Sequence, residues 1–339
     1  MATFINKEEV MPRVSRPGLA LIAVLAAVPR PLPAQEKSLP QRIADVVVQL
    51  NGGIHTGFRF MHAKGVVLTG TFAPAPGARS VSKAAHLTGA PVPVTVRFSN
   101  GTGVPTIPDT DTQGSPRGMA IRFTLPGGAF TDIVAISHNG FVVGTGEEFL
   151  AFLTAVAQTK PESPHPNPVE RFLGGHPRAL KFIQDAQPLP ASFATLAYFG
   201  NNAFLFVDSA GTKRAGRYQI LPDAGIVTLD SLQKSKAGPE YLFEDLRKRV
   251  ARGPVRFRLV AQMANPGDQT NDGSIVWPEN RKIVELGTLS LTTVAPENEK
   301  LQRDLMYNPI FLTSGIQLSD DPMIALRSAV YALSVAHRH

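Results

Sequence analysis

Three runs decide the fold class: Gly65-Val-Val-Leu-Thr-Gly-Thr-Phe72, Val92-Pro-Val-Thr-Val-Arg-Phe98 and Gly118-Met-Ala-Ile-Arg-Phe-Thr124. Each is short, β-branched and aromatic, and Gly and Pro clusters separate them. β-branched side chains pack well on a pleated surface, and Gly and Pro break the chain into turns. The pattern predicts an antiparallel sheet or barrel. Further along, Ala203-Phe-Leu-Phe-Val-Asp208 and Arg214-Ala-Gly-Arg-Tyr-Gln-Ile-Leu221 flank turn material and read as a hairpin-like pair. Pro254-Val-Arg-Phe-Arg-Leu-Val-Ala-Gln262 and Ile283-Val-Glu-Leu-Gly-Thr-Leu-Ser-Leu291 are two further strands.

Helices are expected around these strands. Residues 40–52 read as a short helix ending at Asn51-Gly52-Gly53. Residues 146–158 read as a second, with Glu147 and Glu148 favoured in its first turn by the helix dipole. Residues 160–190, broken by Pro and His, hold helices over loops. A final helix is expected over 319–336, with Ser319 as its cap, Asp320 and Asp321 in its first turn and Pro322 at an early position.

The composition excludes several classes. The chain has 339 residues, 43% of them hydrophobic, enough to fill a core, so it is not a disordered chain. It has no Cys, which excludes disulfide scaffolds, thiolate metal sites and cysteine nucleophiles. No apolar run reaches the ~18 residues of a membrane-spanning helix. The formal charge is +7, but the basic residues are scattered rather than clustered, so no nucleic-acid partner is expected.

The N-terminus has the pattern of an export signal. Lys7, Arg13 and Arg16 precede the apolar stretch Gly18-Leu-Ala-Leu-Ile-Ala-Val-Leu-Ala-Ala-Val28, and Ala34 offers a small residue for cleavage. Residues 1–34 are therefore expected to be a signal peptide, leaving 35–339 as a single domain in the periplasm or otherwise exported. If the segment is instead a helix of the folded protein, the chain stays in the cytoplasm.

Three features could carry chemistry. Arg327 and Tyr331 are four residues apart, on one face of the last helix. A guanidinium beside a phenol favours the phenolate, a hard anionic ligand that can bind haem iron. Pairs at this spacing also commonly just stack or hydrogen-bond. His62, in Arg59-Phe-Met-His62-Ala-Lys-Gly65, is either a satisfied core residue or a general acid/base above a bound cofactor. Arg97 and Ser99 alternate onto one side of their strand. If that side is buried, Arg97 needs an anion and Ser99 could orient an imidazole; otherwise both lie on a solvent face.

Together these motifs resemble those of haem catalases, in the same order. The matching stretches are Arg59–Gly65, Val96-Arg-Phe-Ser99, Ser115-Pro-Arg-Gly-Met-Ala-Ile-Arg-Phe123 and Arg327-Ser-Ala-Val-Tyr331, joined by Asp272-Gly-Ser-Ile-Val-Trp-Pro278 and Ser314-Gly-Ile-Gln-Leu-Ser-Asp-Asp-Pro-Met323. The resemblance covers roughly 55–335 and is nearest to the small catalase-related peroxidases. It implies an α+β fold: a closed antiparallel β-barrel over about 55–295 with flanking helices, and haem b held between the barrel and the last helix.

The resemblance also implies roles. Tyr331 would ligate the iron, with Arg327 keeping it ionised. His62 would be the distal acid/base, with Ser99 as its partner, and Arg59 and Arg97 would bind the haem propionates. Phe149 would stack on the porphyrin. Strict alternation puts Arg59 and His62 on opposite faces, so a bulge or strand end is expected between them. Full-length catalases carry an asparagine pair beside the distal His. Here Ser137 falls at the assisting position, in Asp132-Ile-Val-Ala-Ile-Ser-His-Asn139, and a slip in alignment would bring Asn139 there instead. The implied activity is reduction of hydrogen peroxide or organic peroxides with a small organic reductant, with weak catalase activity. Other readings are an exported barrel that binds haem or an apolar ligand without turnover, and a haem enzyme converting fatty hydroperoxides. A homodimer is compatible with either class, and no membrane insertion is expected after signal removal.

Overall fold

Alternation along the second strand sets the architecture. Val94, Val96 and Phe98 enter the central hydrophobic core, while Arg97 and Ser99 face the other way. The computed structural model describes residues 1, 3, 36–185 and 188–338. The chain divides into two units, Met1–Glu36 and Lys37–His339, and all the strands and helices below belong to the second. The expected export signal lies outside the described residues.

Among the described residues, ten strands form one antiparallel sheet: β1 (Gly65–Pro74), β2 (Val92–Ser99), β3 (Gly118–Thr124), β4 (Phe130–Ile136), β5 (Tyr198–Phe199), β6 (Phe204–Val207), β7 (Lys213–Pro222), β8 (Val255–Met263), β9 (Ile283–Val294) and β10 (Ile316–Leu318). The ladder runs β7-β5-β4-β3-β2-β1-β9-β8, and β8 pairs back onto β7. That closes an eight-stranded barrel, as expected, and leaves no free edge in the ring. β6 and β10 extend it from β7. The expected hairpin is present, with Phe204 opposite Gly216. The barrel starts at Gly65 rather than near residue 55. β1 bends at Gly70, where the register against β9 shifts. A Cβ on Gly70 would strike the Ser290 carbonyl, so only glycine allows the two backbones to approach there.

The barrel interior is filled with side chains. Phe98 lies within ring contact of Phe193, Tyr198 and Phe257, and Phe72 packs edge-on to Phe123. Each fully buried Phe contributes roughly 1.5–3 kcal/mol of transfer free energy. The packed interior speaks against a ligand carried inside the barrel.

The described helices are α1 (Leu39–Leu50), α2 (Ala85–Thr88), α3 (Gly146–Gln158), α4 (Pro168–Gly175), α5 (Pro177–Gln184), α6 (Ser231–Lys236), α7 (Tyr241–Arg252), α8 (Asn298–Asp304) and α9 (Pro322–Ala336). Among them, none is long and apolar enough to cross a membrane. α3 has the expected bounds, and Thr145 and Glu148 form a capping box ahead of it. α9 starts three residues later than Ser319. Its cap is Asp321, whose carboxylate accepts from Met323 N at 2.9 Å, while Ser319 Oγ only accepts from Asp321 N. Pro322 explains the shift, because it is suited to the first helical position and not to one deeper in the helix. α1, α3 and α9 pack through Ile43, Val47, Leu150 and Leu153, with Val330 and Leu333 of α9 against them. This three-helix layer covers the outer face of β2–β4.

Candidate active site

The space between that helical layer and the barrel wall holds two cavities of about 140 and 160 Å³. Both are lined by His62, Ile136, Arg327 and Tyr331. Outward-facing residues of β2, β3 and β4 form the floor: Arg97 and Ser99, Gly118 and Ala120, Val134 and Ile136. Val47 of α1 and Val330 of α9 close the other side, and Phe141 and Phe149 line the second cavity.

His62 sits on an irregular lead-in to β1. Residues 59–63 are not a strand, and His62 has a left-handed backbone, φ 58°, alone among the described non-glycine residues. That turn removes the alternation conflict, so Arg59 and His62 line the same cavity. Ser99 Oγ lies 3.1 Å from His62 Nδ1. Gly118 is opposite Ser99 in the ladder, and a Cβ there would sit 2.6 Å from Ser99 Oγ and 2.7 Å from His62 Nδ1. Burial pushes the His62 imidazole down to about 3, helped by the charges of Arg97 and Arg327. A backbone hydrogen bond at Asn100 works against this shift. His62 is therefore neutral at ordinary pH, with Nδ1 held by Ser99 and Nε2 left for chemistry.

On α9, Arg327 donates to Tyr331 Oη from Nη2 at 3.1 Å and from Nε at 3.3 Å. Its Nη1 donates to Asn202 Oδ1, and Asn202 Nδ2 donates to the Asp321 carboxylate at 2.7 Å. Burial raises the Asp321 carboxyl, and the Asn202 hydrogen bond counters it.

Three guanidiniums meet at one end of the first cavity. Arg59 and Arg338 both donate to the carbonyls of Gln302 and Leu305, and Arg97 donates to Gln302 Oε1 at 3.1 Å. Among the described residues, none of the three has a carboxylate partner within ion-pair distance. The Nε atoms of Arg97 and Arg338 are buried with no hydrogen-bond partner. Burial, with repulsion from Arg338, lowers Arg97 to about 10; burial, with repulsion from Arg97 and Arg338, lowers Arg59; and burial lowers Arg338, against which the Asp304 charge works. A buried cluster of cations with no carboxylate at ion-pair distance is costly, so this end of the cavity suits a bound dianion.

The structure thus brings Arg59, His62, Arg97, Ser99, Phe149, Arg327 and Tyr331 around one space. It does not bring Ser137 there. Ser137 Oγ accepts from Arg117 N at 2.9 Å and Ser137 N donates to the Arg117 carbonyl, so the residue extends the β3–β4 ladder. Asn139 also lines neither cavity. The residues of this stretch that line the cavities with His62 are Val134, Ala135 and Ile136, and Ile136 pairs with Gly118, which lies against His62. Sequence reasoning also missed Arg338, Asn202 and Phe141, and Tyr307, which lines the first cavity. Arg338 carried a readable signal, lying seven residues, about two helical turns, beyond Tyr331.

The catalase family model matches residues 56–339. The chain belongs to the catalase family. It is 38% identical over 292 residues to the catalase-related peroxidase of Mycolicibacterium paratuberculosis, covering 85% of this chain and 91% of that one. It is 31% identical over 290 residues to the catalase-related peroxidase of Synechococcus elongatus, covering 84% and 85%. A fungal catalase crystal structure superposes with a TM-score of 0.73 at 21% identity, covering 84% of this chain and 59% of that chain, which shows the shared fold. Family membership makes the chain a peroxide-acting oxidoreductase.

Proposed function

We propose that this catalase-family chain is a haem-dependent peroxidase that reduces hydrogen peroxide or organic peroxides with a small organic electron donor and has weak catalase activity. One observation carries the reading: the His62–Ser99 pair and the Tyr331–Arg327 pair line the same two cavities. The residues fit haem b. The apolar walls suit a porphyrin, Arg59, Arg97 and Arg338 suit its two propionates, and Phe149 and Phe141 are placed to pack on its face. Tyr331 Oη, accepting two hydrogen bonds from Arg327, suits an anionic iron ligand.

Haem held by these residues would supply the electrons that break the peroxide O–O bond, to be replaced by the donor. The protein manages the proton. Neutral His62 accepts it at Nε2 from the near oxygen of the peroxide and returns it to the departing oxygen. Ser99 keeps the ring in place through Nδ1, so no reorientation is needed between the two transfers. Ile136 and Val134 offer no hydrogen-bond donor beside His62. A second peroxide is then held poorly, which favours an outside donor over dismutation.

The test is an absorption spectrum of the purified protein, then parallel measurement of donor oxidation and oxygen release with peroxide. The reading requires a Soret band and donor oxidation that outpaces oxygen release. A Soret band without donor oxidation would leave a haem carrier, and conversion of a lipid hydroperoxide without any donor would favour a fatty-hydroperoxide enzyme. The signal-like sequence pattern of residues 1–34 supports a proposal of export to the periplasm or beyond, which N-terminal sequencing of the protein isolated from cells would check.

A further inference from the structure

Asp109 lies in the loop between β2 and β3, with no exposure to solvent, and lines neither cavity. Its carboxylate has two sets of partners. Oδ1 accepts from Lys64 Nζ and from Asn100 Nδ2, each at 2.9 Å, and Oδ2 accepts from Leu242 N at the start of α7 at 2.9 Å. Lys64 is two residues after His62, and Asn100 is the residue after Ser99. One carboxylate oxygen therefore grips both chain segments that carry the pair.

The backbones of those segments are also laced together. Asn100 N donates to the Lys64 carbonyl at 3.0 Å, His62 N to the Gly101 carbonyl at 3.2 Å and Ala63 N to the Thr102 carbonyl at 3.0 Å. This lacing holds the left-handed backbone of His62, a conformation that persists only where the surroundings over-determine it. Lys64 is nine-tenths buried and further tied to Glu240 at 2.7 Å and to the Pro239 carbonyl at 3.0 Å. The Asp109 main chain is fixed on its other side, its N donating to the Pro239 carbonyl and its carbonyl accepting from Arg117 Nη2. The anchor is thus buried and charged, and the segments it grips through Lys64 and Asn100 carry His62 and Ser99.

We propose that Asp109 is a positioning residue: through Lys64 and Asn100 it holds His62 at hydrogen-bond distance from Ser99 and aimed into the cavity. The proposal deepens the peroxidase reading, since it rests on His62 as the proton carrier. A side chain that serves only the core would, when altered, loosen the barrel generally. A side chain that positions His62 loosens that segment and changes turnover only while His62 is present.

The experiment uses the full chain as purified and the variant Asp109→Asn, which keeps shape and removes charge. Backbone hydrogen exchange read by mass spectrometry should quicken by about tenfold in peptides spanning 60–64 and 99–103, with β8 unchanged. Donor oxidation should lose about tenfold or more in kcat with KM nearly unchanged. In a His62→Ala background the same substitution should cost less than about twofold, because the two residues act as one unit. Equal quickening in β8, or no quickening at 60–64, overturns the proposal, as does an equal fractional loss with and without His62. If Asp109→Asn does not fold, Asn100→Ala removes one arm and must show the same local exchange pattern; unchanged exchange there overturns the proposal. Absence of any peroxide turnover in the unaltered protein would sink the peroxidase reading, and the exchange comparison would still decide the role of Asp109.

Discussion

Arg327 places two N–H groups on the phenolic oxygen of Tyr331, at 3.1 and 3.3 Å, from one turn earlier on the same helix. The helix supplies this geometry by itself, since residues four apart stack along one face. What the fold adds is the fixing of Arg327 from behind, by Asn202 and through it by Asp321, the cap of α9. The helix cap and the cavity phenol thus belong to one hydrogen-bonded chain. If Tyr331 is the iron ligand, Tyr331→Phe should fold normally and lose most of its haem, or bind it with a shifted Soret band. Haem content per protein with the circular dichroism of both variants checks this. A wild-type spectrum in Tyr331→Phe would show that the ligand is another residue.

His62→Ala should keep haem, since the Arg59, Arg97 and Arg338 cluster and Tyr331 are untouched, and should lower donor oxidation by roughly 10²–10⁴-fold. Ser99→Ala should lose less, because Ser99 only steers the ring. Steady-state rates at one saturating peroxide concentration separate the two, and an unaffected His62→Ala would remove His62 from the mechanism.

The acid limb of activity should lie far below that of an ordinary histidine. His62 is held down to about 3, first by burial and then by Arg97 and Arg327. Its working form is the neutral one, present above that value. Activity should therefore hold as pH falls through 6.5 and decline only toward 3, as far as the fold survives. Arg97→Gln removes the Arg97 repulsion and should move the limb upward. A pH–rate profile with its limb near 6.5 in the unaltered protein would contradict the assignment.

His86 gives a separate handle on stability. It is buried between Phe123, at a ring distance of 4.7 Å, and Phe72, and its Nδ1 has no hydrogen-bond partner. Burial lowers it to about 4. In the unfolded chain the same ring takes up a proton below about 6.5. Between those values the unfolded state binds more protons, so the stability is fully present above 6.5 and lost as pH falls toward 4, on the order of 3 kcal/mol. Thermal unfolding across pH 4–7 should show this slope, and His86→Leu should flatten it. Parallel slopes in the two proteins would mean that other groups set the acid sensitivity.

Much of this was legible in the chain itself. The β-branched runs of β1, β2 and β3 marked the sheet, and Arg327 and Tyr331 were visible as a pair because helical spacing is local. What was hidden depended on register and on contacts far apart in sequence. α7 was missed although Leu242, Phe243, Leu246 and Val250 mark one face, because its surface is otherwise strongly charged. Arg338 joins Arg59 only through the carbonyls of Gln302 and Leu305, a meeting no local pattern announces. Ser137 was placed one position from Ile136, which lines the cavities with His62, and in a strand a single step turns the side chain to the opposite face.

That single step yields the last prediction. Ile136 pairs with Gly118 across β3 and β4, and Gly118 lies against His62 and Ser99. Ile136 lines both cavities with His62, and its aliphatic side chain offers no hydrogen-bond donor to a second peroxide. Ile136→Asn places an amide at that spot with a similar reach. It should raise oxygen release relative to donor oxidation, by about fivefold if one added hydrogen bond stabilises the bound peroxide by the usual ~1 kcal/mol. Ser137→Asn should not, because Ser137 Oγ is turned to Arg117 N and away from the cavity. Oxygen electrode traces and donor oxidation measured side by side on the two variants and the unaltered protein decide the matter. If Ser137→Asn raises oxygen release and Ile136→Asn does not, the side of β4 that faces the chemistry has been misassigned.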